Sequence, residues 1–280
     1  MNSDQLLADL NWILTCPSLC NDERVLELTD LVKPEPGLNL SPVKEFLESN
    51  AWHRVGYYFE SFIDALLRGS EPIHNLRHSI QVFEGKRTLG ELDFIFDRNK
   101  LPSGLITTHL EVALKYYLYY EPEHASGSHF MGPNATDNFE KKWEKLARKQ
   151  LPFGREHFPE IEQSVAIVKG QIFYHPAQEK PPHFPEPMNP EHRKGVWIRE
   201  SELDWFSRFD EKEITGAILP KPFWFGPPLE GISIPALVQE MRLHFAERHH
   251  PLLVSVIKKD RDSVTELERL FVVSDRWPDD

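Results

Sequence analysis

Two stretches of the chain decide its fold: residues 90–96 read GELDFIF, and residues 109–115 read HLEVALK. In both stretches large apolar residues alternate with other residue types, which is the pattern of a β-strand with two different faces. The alternation extends on either side and predicts one strand at residues 89–96 and a longer, buried strand at residues 106–119. A turn between them makes the two strands neighbours.

Alternation also predicts which side chains share a face of each strand. Asp93 faces away from the apolar residues at 92, 94 and 96 of the first strand. On the second strand Glu111, Ala113 and Lys115 share one face, and the small Ala113 leaves open space between the acid and the lysine. The sequence thus places an acidic residue on each of two adjacent strands.

A helix precedes these strands. Residues 54–68 carry apolar side chains at helical spacing, and Gly69 provides a stop signal. Glu60 flanks the apolar stripe of this helix. A short strand at residues 80–83 comes next, so that the expected order is one helix followed by a three-stranded meander.

The rest of the chain indicates a mixed α/β protein with further elements on both sides of this core. Helices are expected within residues 1–50, at 137–150 and at 234–247; strands are expected at 165–174, 195–199, 222–225, 252–258 and 270–273. Prolines are concentrated in residues 175–189. The predicted organisation is an N-terminal helical segment (1–50), a core (51–174), a proline-rich linker (175–190) and a C-terminal α+β extension (191–280).

Composition excludes several classes of protein. The 280 residues are 40% hydrophobic and 27% charged, which is typical of a globular chain and not of a disordered one. With 32 basic and 44 acidic residues the net charge is −12, which does not fit a general nucleic-acid coat protein. No apolar run is long enough for a membrane-spanning helix. Only two cysteines, Cys16 and Cys20, are present, and with no signal-peptide pattern they predict a cytoplasmic protein.

The acids and the lysine form a pattern that suits metal-dependent hydrolysis of a phosphodiester. Carboxylates hold Mg²⁺, which polarises the phosphoryl oxygen, and a nearby lysine positions water or neutralises developing charge. One economical arrangement places an acid on each of two adjacent strands and a third on a flanking helix. The chain offers Asp93 and Glu111 on the strands and Glu60 on the helix.

At these residues the chain resembles the PD-(D/E)xK phosphodiesterase superfamily, whose members have the restriction-endonuclease-like fold. It also resembles an uncharacterised bacterial family sometimes assigned to that superfamily. The resemblance covers roughly residues 54–174 and implies an α/β core with a central mixed β-sheet flanked by helices. It implies metal-dependent cleavage of nucleic acid, with Asp93 and Glu111 as ligands of Mg²⁺ or Mn²⁺ and Glu60 as an accessory ligand.

One position departs from the superfamily pattern, which has a lysine two residues after the acid. That position is Ala113, and the lysine of this chain, Lys115, stands two residues further along the same face. A long side chain can fold back toward the metal site, so Lys115 is the candidate catalytic lysine. The departure leaves open the alternative that the fold is kept without the catalysis.

The helix at 137–150 is a candidate nucleic-acid-binding surface. Its basic residues include Lys141, Lys142, Lys145 and Arg148. The alternative is an ordinary solvated helix with ion pairs one turn apart, Asp137 with Lys141 and Glu144 with Arg148.

The sequence therefore carries two hypotheses. The first is a Mg²⁺-dependent nuclease acting on DNA or RNA, with Asp93, Glu111 and Lys115 catalytic and no membrane partner. The second is a non-catalytic binding or scaffolding protein with the same fold. His74 and His78 have the spacing of metal ligands on a helix, but they lead into a strand and are expected to be surface residues.

Overall fold

The computed structural model describes residues 3–33, 37–49, 54–99, 104–121, 129–179, 181, 183–209, 211–260 and 263–279. The helices are α1 (Ser3–Thr15), α2 (Leu28–Leu31), α3 (Ser41–Glu48), α4 (Val55–Arg68), α5 (Phe139–Lys145), α6 (Leu151–His157) and α7 (Ile234–Glu247). The strands are β1 (Ile73–Glu84), β2 (Arg87–Asn99), β3 (Leu105–Tyr119), β4 (Phe130–Met131), β5 (Gln163–Tyr174), β6 (Arg193–Arg199), β7 (Ile214–Ile218), β8 (Ile232–Ser233), β9 (Leu252–Lys259) and β10 (Val264–Val273).

Within the described part of the chain, all ten strands belong to one mixed sheet. Its order is β1-β2-β3-β5-β6-β10-β9-β7-β8, and β4 pairs with β3. The chain is thus a mixed α/β protein with N-terminal and flanking helices, as the sequence predicts. Strands β1, β2 and β3 pair antiparallel, whereas β3, β5, β6 and β10 run parallel to one another. The remaining pairs, β10 with β9, β9 with β7 and β7 with β8, are antiparallel.

Helices cover both faces of the sheet around β3. The apolar stripe of α4 is buried against Phe94 and Leu110 on one face, together with residues of α1 and α3. Residues of α5 and α6 pack with Tyr117 and Ala166 on the opposite face. The periodicity of α4, β2 and β3 therefore predicts their positions correctly, because each pattern reflects the surface that the element buries.

Two predicted strands differ from the structure. The strand expected at 80–83 begins at Ile73, because polar residues and irregular backbone at Asn75 and Ser79, both with φ of 51°, hide the alternation. Residues 222–225 form no strand; Pro222 lacks a backbone N–H, and the carbonyls of the following residues accept hydrogen bonds from Arg269. Strand β7 and the 3₁₀ helix Glu200–Phe209 are not among the predicted elements.

The helix predicted at 137–150 continues to His157, but it contains a change of geometry. Between α5 and α6, residues Leu146–Gln150 form a π-helical turn. Pro152 follows in the first turn of α6 and has no N–H to donate to the carbonyl of Arg148, which interrupts the α-helical bonding.

Strands from the predicted core and from the predicted C-terminal extension join in the same sheet through β5 and β6. The proline-rich segment between these two strands, of which residues 180 and 182 lie outside the described residues, packs against the N-terminal region through a bridge between Cys20 and Met188. The division into domains stays a prediction. No helix in the described ranges is both long enough and apolar enough to cross a membrane.

Candidate metal-dependent active site

The candidate site lies where strands β2 and β3 separate. The paired register runs from Asn99 with Leu105 to Phe94 with Leu110 and stops there. At the next position the carboxylate of Asp93 takes the place of a backbone partner: its Oδ2 accepts a hydrogen bond from the N–H of Val112 at 2.8 Å. Beyond this point the two strands leave a gap in the sheet.

A cavity of about 400 Å³ opens at this gap. Three of the residues that line it are the acids predicted from the sequence, Glu60, Asp93 and Glu111. Ala113 and Lys115 also line it, as their shared face on β3 predicts. Residues of α4, on one face of the sheet, and residues of α5, on the other face, also line the cavity. All members of the predicted catalytic set therefore line one cavity.

Glu111 is buried, with an exposed fraction of 2%. Its Oε1 accepts a hydrogen bond from Nε2 of the buried His109 at 2.9 Å, and its Oε2 accepts one from Nε2 of Gln150 at 2.5 Å. The other ring nitrogen of His109 lies 3.3 Å from Oγ of Ser164. These contacts fix the orientation of the carboxylate, in the way that outer partners orient metal ligands.

Sequence reasoning missed both His109 and Gln150. His109 stands two residues before Glu111 on the same face of β3, so alternation alone would have placed the two side chains together. Gln150 lies at the end of the π-helical turn, and no pattern in the sequence brings it to Glu111. Such turns occur frequently at functional sites.

Asp93 is held in an environment that disfavours its charge. Burial, followed by the negative charge of Glu111, raises the pKa of Asp93 to about 8, although the hydrogen bond from Val112 acts in the opposite direction. Glu60 and Glu91 contribute smaller repulsions. A divalent cation between the carboxylates would remove this repulsion, and oxygen donors are the ligands that Mg²⁺ prefers.

Glu60 approaches the cavity from helix α4. Its Oε1 lies 2.7 Å from Nε2 of His78 on β1, and the His78 ring stacks on Phe94 with the ring centres 4.6 Å apart. Burial favours the neutral ring, but the hydrogen bond and charge of Glu60 outweigh it and raise the pKa of His78. His74 and His78 are both exposed, as the sequence predicts, but His78 also pairs with Glu60, a contact that the sequence does not predict.

The acids that would hold a cation in this cavity are Asp93 and Glu111. Among the residues that the structure describes, no group of three or more His, Cys, Asp or Glu side chains is placed to hold one metal ion. The fit therefore rests on Asp93 and Glu111, whose charges repel each other inside the cavity. A role for Glu60 as an accessory ligand stays a prediction.

Lys115 lies in the cavity at some distance from Glu111. Lys115 stands four positions after Glu111, which corresponds to about 13 Å along the strand. Burial, followed by the positive charge of Lys142, lowers the pKa of Lys115. The position that carries lysine in the superfamily, Ala113, lies between them and faces the same cavity.

The basic residues predicted to bind nucleic acid divide into two groups. Lys142 and Lys145 line the cavity, whereas Lys141 and Arg148 are exposed and do not. Arg148 pairs with Glu144 at 3.2 Å, as the ion-pair alternative predicts. The other predicted pair is wrong, because Asp137 contacts Lys142, at 3.4 Å, in place of Lys141.

Comparisons with known proteins give a family for the chain. Neither the curated proteins nor the solved structures contain a match to it. One family model matches residues 1–273, which is nearly the whole chain. The chain belongs to this family, which is described as a domain of unknown function, DUF1853.

Proposed function

We propose that this protein is a Mg²⁺- or Mn²⁺-dependent phosphodiesterase that cleaves nucleic acid, with a core of the PD-(D/E)xK type. The observation that carries the proposal is the convergence of Glu60, Asp93, Glu111 and Lys115 on one cavity at the gap between β2 and β3. These residues are distant in the chain and belong to three different elements, α4, β2 and β3.

Asp93 and Glu111 would hold the cation, which supplies a Lewis acid that polarises a phosphoryl oxygen when it is bound. His109 and Gln150 fix the Glu111 carboxylate through their hydrogen bonds. Lys115 places a cation in the same cavity, where it stabilises negative charge on the phosphate group. Lys142 and Lys145 add positive charge at the rim and favour entry of an anionic substrate.

Cleavage of labelled DNA and RNA by the full chain, with Mg²⁺ or Mn²⁺, tests this proposal. Asp93→Asn and Glu111→Gln should each abolish cleavage while the circular dichroism spectrum is unchanged. Glu91→Gln is the matched control, since Glu91 lies on the same strand two residues from Asp93 but is exposed. Cleavage that is insensitive to both Asp93→Asn and Glu111→Gln would refute the assignment.

A second candidate is a non-catalytic nucleic-acid-binding protein with the same fold. Two observations favour it: Ala113 stands where the superfamily has lysine, and both carboxylate oxygens of Glu111 already accept hydrogen bonds. This candidate predicts that the wild-type chain binds nucleic acid with the same affinity in the presence and absence of Mn²⁺ and cleaves none. Cleavage dependent on Asp93 would exclude it.

A further inference from the structure

A second, larger cavity adjoins the candidate active site. Its volume is about 1330 Å³, and it lies between the N-terminal end of α4, the loop around Trp224 and the C-terminal end of α7. We call the cavity that contains Glu60, Asp93 and Glu111 the acidic cavity. Both cavities share the lining residues Arg54, Gly56 and Lys115. The two cavities therefore meet at Lys115, and we call the larger one the basic groove.

The basic groove is positively charged on a protein that is acidic overall. Four lysine or arginine residues line it, and three histidines stand beside them: Arg54, Lys115, Lys221, Arg248, His244, His249 and His250. Asp137 is the single acidic residue among the described residues that line it, and its charge is offset by Lys142. With a net charge of −12 over the whole chain, this local excess of positive charge is a specific feature. It complements a polyanion.

Aromatic side chains accompany these charges. Trp224 is half-buried in the wall of the groove, and Nζ of Lys221 lies 5.1 Å from the centre of its ring system. Tyr116 supports this position, because its hydroxyl donates a hydrogen bond to the carbonyl of Trp224 at 2.9 Å. Arg269 donates to the same carbonyl at 2.8 Å. The ring itself is held by Nε1 of Trp224, which donates a hydrogen bond to the carbonyl of Leu219 at 3.0 Å. An aromatic ring held beside a lysine suits a nucleotide, whose base stacks on the ring and whose phosphate pairs with the lysine.

We infer that the basic groove binds a single strand of nucleic acid and directs it past Lys115 into the acidic cavity. This inference deepens the proposed function, on which the choice of nucleic acid as the ligand rests. Lys115 then has a defined place, as the cation at the junction through which the strand passes.

The depth of the acidic cavity favours a single strand over a duplex. Glu111 is only 2% exposed, so a phosphate has to enter the cavity to approach it. A cavity of about 400 Å³ has the size of a site for one small molecule or nucleotide. A single strand can insert one nucleotide there without breaking base pairs, whereas a duplex would have to be unpaired first.

Fluorescence anisotropy with a labelled oligo(dT) of about 15 nucleotides tests the inference. The full chain is titrated in EDTA, which prevents metal-dependent cleavage, at salt concentrations from about 50 to 200 mM. The test variant is the double charge reversal Lys221→Glu/Arg248→Glu. The control is Lys212→Glu/Lys259→Glu, which changes the net charge equally at two exposed lysines outside the groove.

The wild-type chain should bind the strand with a slope of log affinity against log salt of about −3, since four cations each contribute about −0.7. The groove variant should lose at least about tenfold in affinity, and its slope should fall by about half. Equal weakening in the two double variants would overturn the inference. So would equal affinity of the wild type for a blunt duplex of the same length, or equal competition by an oligoglutamate peptide.

The outcome separates this inference from the proposed function. If the groove variant loses affinity for the strand but the wild type cleaves no nucleic acid with Mg²⁺ or Mn²⁺, the groove is established and the nuclease proposal fails. If cleavage depends on Asp93 but the groove variant binds the strand normally, the nuclease proposal stands and the groove inference fails.

Discussion

Asp93 and Val112 are joined across the point where two strands of the sheet separate: Oδ2 of the aspartate accepts the backbone N–H of the valine at 2.8 Å. The N–H would otherwise be left without a partner at the edge of β3, which is costly inside a protein. The side chain of Asp93 thus satisfies the backbone while its carboxylate stays beside Glu111. This one contact therefore stabilises the point where the strands separate and holds an acidic side chain there.

Replacement of Asp93 by asparagine should change the pH dependence of stability. The pKa of this carboxyl is about 8 in the folded protein against 3.8 for an ordinary aspartate, so the folded chain keeps a proton that the unfolded chain has released. Between about pH 4 and pH 8 this proton therefore makes the free energy of unfolding of wild type decrease as the pH rises, by at most about 1.4 kcal/mol per pH unit. Asp93→Asn removes this contribution.

Urea unfolding between about pH 5 and pH 8 in EDTA measures the effect. As the pH rises, the unfolding free energy of Asp93→Asn should increase relative to that of wild type. Glu91→Gln serves as the control and should keep most of the wild-type pH dependence, since Glu91 contributes only a smaller repulsion to the pKa of Asp93. Parallel curves for wild type and Asp93→Asn would show that Asp93 titrates as an ordinary surface acid.

Gln150 is expected to act through Glu111. Gln150→Leu removes the hydrogen bond at 2.5 Å to Oε2 and should lower metal-dependent cleavage by about 10- to 100-fold, the usual cost of losing an outer partner of a metal ligand. The Mn²⁺ concentration for half-maximal cleavage should rise as well. Lys149→Ala, an exposed neighbour on the same π-helical turn, should leave both quantities unchanged. A normal Mn²⁺ requirement in Gln150→Leu would argue against this positioning role.

The pair formed by Glu60 and His78 can be observed by NMR. A histidine pH titration should give His78 a pKa above its ordinary value of 6.5, because Glu60 stabilises the charged ring. In Glu60→Gln the hydrogen bond and the charge of Glu60 are lost, while burial still disfavours the charged ring. The pKa of His78 should then fall. An unchanged value in Glu60→Gln would mean that the two side chains are not paired in solution.

The lysine of the site can be moved along β3. Lys115→Ala should reduce cleavage by about 100- to 1,000-fold, which corresponds to the loss of one charge-stabilising group. Ala113 faces the same cavity, so that Ala113→Lys places the new amine nearer to Glu111. The double variant Ala113→Lys/Lys115→Ala should recover a large part of the lost activity. Failure to recover, with normal Mn²⁺ binding, would show that position 115 itself is required.

Much of the candidate site can be predicted from the sequence because it lies on regular elements. Alternation places Glu111, Ala113 and Lys115 on one face of β3, and helical periodicity places Glu60 beside the buried stripe of α4. These patterns arise because one side of each element is buried. Once the buried side is known, the side on which every other residue of the element lies is known as well.

The remaining features depend on contacts between distant parts of the chain. Gln150 reaches Glu111 only because a π-helical turn rotates its side chain into the cavity. The basic groove combines Arg54 at the start of α4 with Lys221 and Arg248, more than 160 residues away in the sequence. No periodic pattern connects such residues. Edge strand β1 is hidden for a different reason, since its exposed face imposes no alternation of apolar residues.

Calorimetric titration with Mn²⁺ near pH 8, where deprotonation of Asp93 is least costly, tests the central claim most directly. The account predicts a cation site on the full chain whose affinity falls by more than about 100-fold in both Asp93→Asn and Glu111→Gln, while Glu91→Gln binds normally. Wild-type protein that binds no Mn²⁺, or variants at Asp93 and Glu111 that bind it as wild type does, would contradict the account.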